Sequence, residues 1–269
     1  MIKINGARLD FSEFPNGETK VDAKLIKANA HPTENTIMFK YETDGDLIKL
    51  MFVKNYLDNM GLDAELKIMY MPYSRMDRVE GVSVFTLKDV ANFINKMKFK
   101  KVYVYEAHSD VTPALLDRCE VIDYSEQILE DVIEIVGFDE ERDYVFFPDA
   151  GASKRYKSAK KYRHLVGHKQ RDFDSGNIES LEVMGKVDGA GFTAIIVDDL
   201  CSFGGTFLRS ATELKKLGAS RIYLVVTHCE NSIYKGELLK TDLIDGIFTT
   251  DSILNEEEYD DRLWVRPLL

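Results

Sequence analysis

Short β-rich runs alternate with helical patterns along this chain, and no other feature of the sequence limits its fold as strongly. The apolar runs predict buried strands at 66–71, 101–106, 143–148, 193–199 and 221–228. Between them, apolar residues recur at helical spacing in 46–61, 85–99, 125–137 and 206–218. Strands that alternate with helices form mainly parallel sheets with helices on both faces. We therefore expect an α/β fold whose ligands bind at the carboxyl ends of the strands.

The alternation occurs twice, which predicts two α/β domains of similar size. A chain of 269 residues is long enough for two domains. We place the N-terminal domain at 1–124 and the C-terminal domain at 125–269, and we expect the last residues to pack back on the N-terminal domain. Gly61 and Gly137 are expected to end helices, and Ser125 to cap the start of one.

The composition argues against several classes of partner. Lys and Arg number 35 against 46 Asp and Glu, a net charge of −11, whereas proteins that bind nucleic acids present basic surfaces. No apolar run approaches the roughly 18 residues of a membrane span, and the N-terminal MIKINGARLD lacks the apolar core of a signal peptide. Cys119, Cys201 and Cys229 show no CxxC spacing, so we expect reduced thiols in a cytoplasmic protein and no zinc site.

Two adjacent carboxylates, Asp198 and Asp199, follow an apolar run and precede a glycine loop that opens a helix. Like charges side by side are unfavourable unless a cation or a ligand offsets their repulsion. Gly204 and Gly205 allow the backbone to approach a ligand closely, and a helix that starts at Thr206 directs free amides at an anion. The other interpretation is an ordinary loop with solvated acids. The combination favours a ligand site, in which the acids bind sugar hydroxyls or a metal ion.

The stretch IIVDDLCSFGGT (195–206) resembles the phosphoribosyl diphosphate (PRPP) binding motif that type I phosphoribosyltransferases share with PRPP synthetases. The resemblance implies that Asp198 and Asp199 hold the 2- and 3-hydroxyls of a ribose, or a magnesium ion bound through them. It also implies that the loop 202–206 receives the 5-phosphate of the sugar. This motif alone does not separate a transferase from a synthetase.

Two segments of the N-terminal half resemble the ATP-binding parts of PRPP synthetases. YMPYSRMDRVEG resembles PYxRQDR, which implies that Arg75, Asp77 and Arg78 contact ATP. A guanidinium suits phosphate because its donors form a fork. EAHSD resembles DLHAD, which implies that His108 is a ligand of the magnesium ion bound to ATP.

Two more segments resemble parts of the same family. FPNGE resembles the FxNGE loop, which reaches the adenine bound in a neighbouring subunit. This implies that Phe14 stacks on the base, that Asn16 and Glu18 hydrogen-bond its edge, and that the protein is a homo-oligomer with shared sites. FFPDAGASKR resembles SPDAGGxKR, which implies a second metal-related carboxylate at Asp149.

The segment GHKQRDFDSGN (167–177) resembles the flexible DKRR catalytic loop, so Lys169 and Arg171 are expected to close over the triphosphate and stabilise charge there. With six segments in order, the chain is identified as a short, divergent member of the ribose-phosphate diphosphokinase (PRPP synthetase) family. The resemblance implies two phosphoribosyltransferase-like domains, the first binding ATP and the second a ribose phosphate. It also implies Mg²⁺, attack of the anomeric hydroxyl on the β-phosphorus of ATP, and release of AMP.

Two loop residues depart from the family's DDxxDTAGT pattern. Ser202 stands where the third Asp is expected, and Phe203 stands where the first Thr is expected. A lost hydroxyl removes a hydrogen bond worth about 0.5–1.5 kcal/mol, while an aromatic ring offers a platform for a base. Three alternatives stay open: an extended acceptor such as ADP-ribose, a phosphoribosyltransferase that uses PRPP, and a non-catalytic regulatory homologue. His108, Lys169 and Arg171 argue against the last of these.

Overall fold

The structure is a computed structural model that describes residues 1–171, 178–255 and 260–268, with the backbone alone at 169–171 and 178–180. The chain divides into two compact units, Met1–Asp123 and Tyr124–Leu269, which we call the N-terminal and C-terminal units. Each unit contains a mainly parallel sheet accompanied by helices. The predicted α/β fold class is therefore confirmed.

The N-terminal unit has short strands and four-turn or shorter helices. Its strands are β1 (Ile2–Ile4), β2 (Ala7–Leu9), β3 (Phe11–Glu13), β4 (Thr19–Val21), β5 (Thr36–Phe39), β6 (Glu65–Ile68), β7 (Val102–Tyr105) and β8 (Cys119–Ile122). Its helices are α1 (Ala23–Asn29), α2 (Gly45–Asn59), α3 (Thr86–Lys96) and α4 (Val111–Leu115). The main sheet has the order β2-β1-β5-β6-β7-β8. β5 to β8 run parallel, β1 is antiparallel to both neighbours, and β3 and β4 form a separate hairpin.

Helix α2 shows how the sequence pattern builds this unit. Leu47, Leu50, Val53 and Leu57 recur every three or four residues, so they share one face, and all four are buried. Burying each side chain of this size contributes about 1.5–3 kcal/mol. The helix ends at Asn59, and Gly61 has a φ of +71°, which confirms the predicted helix end.

The C-terminal unit has longer strands. They are β9 (Tyr144–Phe147), β10 (His164–Arg171), β11 (Ile178–Met184), β12 (Phe192–Cys201), β13 (Ala219–Cys229), β14 (Gly246–Thr250) and β15 (Leu263–Arg266). Its α-helices are α5 (Tyr124–Val136), α6 (Ala150–Arg155) and α7 (Gly205–Lys216), and 3₁₀ helices span Ser158–Lys161, Asn231–Lys235 and Leu238–Lys240. The sheet order is β11-β10-β9-β12-β13-β14-β15. All pairs are parallel except β10 with β11.

Strand β12 lies inside this sheet, between β9 and β13. Its first six residues, 192–197, are all buried, because a parallel sheet covered on both faces requires a continuous apolar run. The predicted strand at 193–199 is thus confirmed but longer, and it continues to Cys201. Asp198 and Asp199 lie within its last four residues rather than beyond its end.

One predicted cap is wrong, and one predicted helix end is confirmed. Ser125 lies inside α5, and its Oγ is 2.7 Å from Oγ1 of Thr227 on β13. The hydroxyl therefore ties the helix to the sheet instead of capping it. Gly137 follows α5 with a φ of +64°, as a residue at a helix end should. Across the described ranges, no helix combines the length and the apolar character that crossing a membrane requires.

Candidate active site

An arginine from the end of α6 lies against the acidic pair on β12. Nη1 of Arg155 is 2.9 Å from Oδ1 of Asp199 and 4.0 Å from Oδ1 of Asp198. The side chains are 22%, 8% and 18% exposed, respectively. Arg155 is thus the cation that the repulsion between the acids requires. Sequence reasoning gave it no role, although the need for a cation beside two adjacent carboxylates was a usable signal.

Burial and neighbouring charges shift the pKa values of two residues at this site. Burial raises the pKa of Asp198 well above its ordinary value, and the charges of Asp199 and Asp149 raise it further, while Arg155 lowers it. For Arg155, burial is the largest influence and lowers the pKa, but the charge of Asp199, the interactions with Tyr156 and the hydrogen bond to Asp199 together outweigh it, so the pKa is raised. Among the described side chains, Arg155 is the cation paired with these two acids. Sugar hydroxyls or a divalent cation would relieve the remaining negative charge.

The glycine loop after β12 leads directly into α7. Gly204 has a φ of +84°, and a Cβ there would lie 2.8 Å from the side chain of Leu238, so glycine alone fits without strain. Gly205 is the first residue of α7, with open space around it, and Thr206 follows in the first turn. The first amides of a helix lack partners within the helix, and the helix dipole favours an anion beside them. This geometry suits the predicted anion site.

The two residues that depart from the family pattern have different surroundings. Ser202 Oγ donates a hydrogen bond to Glu230 Oε2 at 2.6 Å and lies 3.0 Å from Oγ of Ser232. Phe203 is 57% exposed. Sequence reasoning missed Glu230 because it lies at the end of a different strand, and nothing in the local sequence links it to the loop.

Asp149 caps helix α6. Its Oδ1 accepts a hydrogen bond from the amide of Ala152 at 3.0 Å, and its charge reaches Asp198. Asp149 follows β9, which pairs with β12, so the structure brings this predicted residue to the same sheet edge as the acidic pair. Among the described residues, no three His, Cys, Asp or Glu side chains are grouped as metal ligands. The metal role of Asp149 stays a prediction.

In the N-terminal unit, the two predicted ATP segments meet at Asp77. The Asp77 carboxylate is buried and accepts hydrogen bonds from Nε and Nη2 of Arg78 at 2.7 and 3.1 Å. Oγ of Ser109 donates to it at 2.6 Å. The pKa of Asp77 is lowered, chiefly by the hydrogen bond from Arg78. Burial acts in the opposite direction, while the hydrogen bond from Ser109 and the charge of His108 lower the pKa further. Asp77 therefore joins 70–81 to 106–110, and Ser109 is a residue that sequence reasoning missed.

The other predicted ATP contacts lie on the surface of the N-terminal unit. Arg75 and Arg78 are exposed, and His108 is half-buried. Phe14, in the turn between β3 and β4, is 49% exposed. The turn is closed by hydrogen bonds from the amide of Phe14 to the carbonyl of Glu18 and from the amide of Glu18 to Oδ1 of Asn16. Asn16 therefore has a local structural role in addition to its predicted one.

The first part of the predicted catalytic loop lies in a strand. The backbones of Lys169 and Arg171 lie in β10 and pair with β11, so the prediction of a loop from 167 is wrong for 167–171. The strand was missed because polar residues and a glycine interrupt its apolar pattern. Its antiparallel partner, β11, begins only at Ile178. The side chains of Lys169 and Arg171, and residues 172–177, lie outside the described part of the chain.

Comparisons with known proteins agree with one another. Residues 151–260 match the family described as the phosphoribosyl synthetase-associated domain. The ribose-phosphate pyrophosphokinase of Pyrococcus abyssi is 28% identical over 240 residues, 83% of this chain and 77% of that protein. The one of Prochlorococcus marinus is 33% identical over 201 residues, 72% of this chain and 59% of that protein.

A solved structure shows the same fold. The crystal structure of phosphoribosylpyrophosphate synthetase from Mycobacterium smegmatis matches with a TM-score of 0.76 and 18% identity, over 97% of this chain and 86% of that one. The sequence relatives and this fold point to one group of enzymes. In sequence and in fold the chain is similar to the PRPP synthetases, and it is an enzyme of the transferase class.

Proposed function

We propose that this protein transfers the β,γ-diphosphate of ATP to the 1-hydroxyl of ribose 5-phosphate, forming PRPP and AMP. The observation that carries the proposal is the acidic pair held by Arg155 and followed at once by a glycine loop that opens a helix. Carboxylates suit the hydroxyls of a ribose, and helix amides suit its phosphate. The names of the curated relatives support the same reaction.

On the acceptor side, the C-terminal unit would orient the sugar. Asp198 and Asp199 would accept hydrogen bonds from the 2- and 3-hydroxyls, while the amides of 203–206 would donate to the 5-phosphate. Arg155 keeps Asp199 in place through its 2.9 Å contact. Fixing the sugar at both ends directs its 1-hydroxyl, and such positioning supplies much of the catalysis in phosphoryl transfer.

On the ATP side, the N-terminal unit would hold the nucleotide with Arg75, Asp77, Arg78 and His108. Asp77 acts chiefly by orienting the fork of Arg78. The sugar oxygen forms a bond to the β-phosphorus, the bond from that phosphorus to the α-phosphate oxygen breaks, and AMP leaves with that oxygen. The proton of the sugar hydroxyl passes to solvent or phosphate.

We assign catalysis of this step to Lys169 and Arg171, whose positive charges would stabilise the transferred group. Lys169→Ala is expected to abolish AMP formation while the thermal unfolding midpoint stays near that of the wild type. Lys186→Ala, a change at an exposed lysine of the same unit, serves as the control. Unchanged activity of Lys169→Ala would remove it from the catalytic role.

The acidic pair also fits magnesium. Asp198 and Asp199 offer oxygen donors of the kind that Mg²⁺ prefers, and a bound cation would favour the ionised form of Asp198, whose pKa burial raises. Asp149 and His108 are the further proposed ligands, on the side of ATP. When bound, the ion would neutralise phosphate charge and align the phosphates.

We propose that the protein is a cytoplasmic homo-oligomer in which the β3–β4 hairpin supplies adenine contacts to a neighbouring subunit. The exposure of Phe14 supports this role, since a base can stack on an exposed ring. Light scattering of the purified protein tests the oligomer. Mixing inactive Phe14→Ala protein with inactive Lys169→Ala protein tests sharing, because hybrid oligomers should regain activity.

A second acceptor class is favoured by one observation. Phe203 presents 57% of its side chain to solvent beside the phosphate loop, so it is available to stack on the base of an extended acceptor such as ADP-ribose. The same bond-forming step would then produce the 1-diphosphate of the extended sugar.

An acceptor screen tests these proposals. The enzyme is incubated with ATP, magnesium and either ribose 5-phosphate or ADP-ribose, and AMP release is measured. Turnover with ribose 5-phosphate equal to or above that with ADP-ribose refutes the extended acceptor. AMP release without any nucleobase distinguishes a diphosphokinase from a phosphoribosyltransferase, and no AMP with either acceptor contradicts both diphosphokinase proposals.

A further inference from the structure

Glu230 lies beside the loop that we propose for the acceptor phosphate. It follows β13 directly, and its amide donates to the carbonyl of Cys201 at 2.8 Å. Cys201 and Cys229 are register partners at the ends of neighbouring parallel strands. The strand pairing therefore brings a carboxylate from the end of β13 to the start of the loop 202–206, which we call the acceptor loop.

Two hydroxyls hold this carboxylate. Ser202 and Ser232 donate hydrogen bonds to the same oxygen, Oε2 of Glu230, at 2.6 and 3.1 Å, and the two hydroxyl oxygens are 3.0 Å apart. Hydrogen bonds to a charged acceptor are stronger than those between neutral groups. The cluster of Ser202, Glu230 and Ser232 thus fixes the first residue of the acceptor loop to the 3₁₀ helix Asn231–Lys235.

Backbone contacts bring the same two segments together. A Cβ on Gly236 would lie 2.3 Å from the carbonyl oxygen of Phe203, and a Cβ on Gly204 would lie 2.8 Å from Leu238. The acceptor loop therefore rests against 236–238 without room for added atoms. A shift of Ser202 or Glu230 would move the loop amides, because close packing transmits small displacements.

We infer that Glu230, held by Ser202 and Ser232, is a positioning residue of the acceptor loop. It supplies, from the end of the neighbouring strand, the carboxylate that the PRPP motif carries at position 202. The inference rests on the proposed function, because it assigns the loop to the acceptor phosphate. A second carboxylate at position 202 would repel both Glu230 and the phosphate.

Exchanging the two side chains tests this. Ser202→Asp places a second carboxylate beside Glu230, and we expect the KM for the acceptor to rise roughly tenfold or more, as the loss of a hydrogen bond to a charged group implies. Adding Glu230→Ser should return the acceptor KM to within about threefold of the wild type, because one carboxylate is again present. The kcat and the KM for ATP should change less than the acceptor KM, a split that general destabilisation would not give.

Two further variants guard against misfolding and nonspecific effects. Ser202→Ala removes one donor without adding charge, and a rise of roughly threefold to tenfold in acceptor KM is expected. Glu130→Gln changes an exposed glutamate of α5 that pairs with Lys161 and should leave the acceptor KM unchanged. A wild-type acceptor KM in both Ser202 variants, or a double variant no better than Ser202→Asp alone, overturns the inference.

The proposed function and this inference fail differently. If the wild type releases no AMP, the reaction is wrong, and the same variants are compared by calorimetric titration with ribose 5-phosphate and with ADP-ribose. The exchange pattern in Kd then supports the role of Glu230. Absence of the pattern, or of any binding by the wild type, overturns it.

Discussion

Removing the charge of Arg155 tests how the acidic pair is held. Arg155→Met keeps much of the side-chain volume but leaves the buried carboxylate of Asp199 and the partly buried one of Asp198 without this cation. Removing one partner of a buried ion pair costs about 3–5 kcal/mol. Because 22% of the Arg155 side chain is exposed, water screens part of the interaction, and we expect a loss of about 3 kcal/mol in the free energy of unfolding. Urea unfolding monitored by circular dichroism measures it.

A matched variant and a double variant make the result decisive. Arg266→Met breaks an ion pair to Asp131 whose side chains are 49% and 55% exposed, so its loss should be at most about 1 kcal/mol. Arg155→Met combined with Asp199→Asn should regain much of the stability, since fewer charges are left unpaired. If Arg155→Met costs no more than Arg266→Met, the pair is not an effectively buried one and the reasoning is wrong.

The deficit of Arg155→Met should also depend on pH. Arg155 lowers the pKa of Asp198, which burial already raises above its ordinary value. Without Arg155 that pKa rises further, so the folded state binds a proton that the unfolded state releases above about pH 4. The stability of the variant relative to the wild type should therefore improve as the pH falls from 8 towards 5. A deficit that grows over this range would contradict the assignment.

Three further changes have defined outcomes. Asp198→Asn should raise the unfolding temperature at pH 8, because burial raises the pKa of Asp198 and disfavours its ionised form, and calorimetry should show that this gain disappears near pH 4. The same change should abolish acceptor use, because the proposed contact with the ribose is lost. Gly204→Ala should cost at least about 1 kcal/mol in urea unfolding, since its φ is +84° and a Cβ would meet Leu238, and it should raise the acceptor KM. Asp77→Asn should lower the free energy of unfolding at pH 7 by about 1.5–3 kcal/mol, because Ser109 no longer bonds to a charged group. Because the pKa of Asp77 is lowered, this contribution is present above about pH 4 and declines as the pH falls below it, and unfolding measured at pH 7 and at pH 3 compares the two conditions.

The elements with strong internal patterns were predictable. Residues 194–197 are all apolar because β12 is covered on both faces, and the spacing of apolar residues in α2 marks its buried face. Antiparallel β10 and β11 were missed, since polar residues interrupt their apolar pattern. Ser125 has the chemistry of a cap but bonds to Thr227 from inside its helix, a contact that depends on tertiary structure.

The candidate site divides in the same way. The acids and glycines of 195–206 are adjacent in sequence, so their chemistry was readable from the local pattern. Arg155 and Ser109 lie in two of the predicted segments but contact acids of other segments, and Glu230 reaches the loop from the end of β13. Local sequence does not encode such pairs, although the unbalanced charge of two neighbouring acids signals that a cation must come from elsewhere.

The contact between Gly236 and the acceptor loop bears on how such a loop can be exchanged between proteins. Any side chain at 236 would place its Cβ 2.3 Å from the carbonyl oxygen of Phe203, so the path of the loop and the residue at 236 are not independent. A transplant of 202–206 from a relative should keep its native path only if 230–238 is transplanted with it. Under the proposed function, acceptor preference depends on both segments, and a library of variants that changes only one of them will miss the compatible combinations.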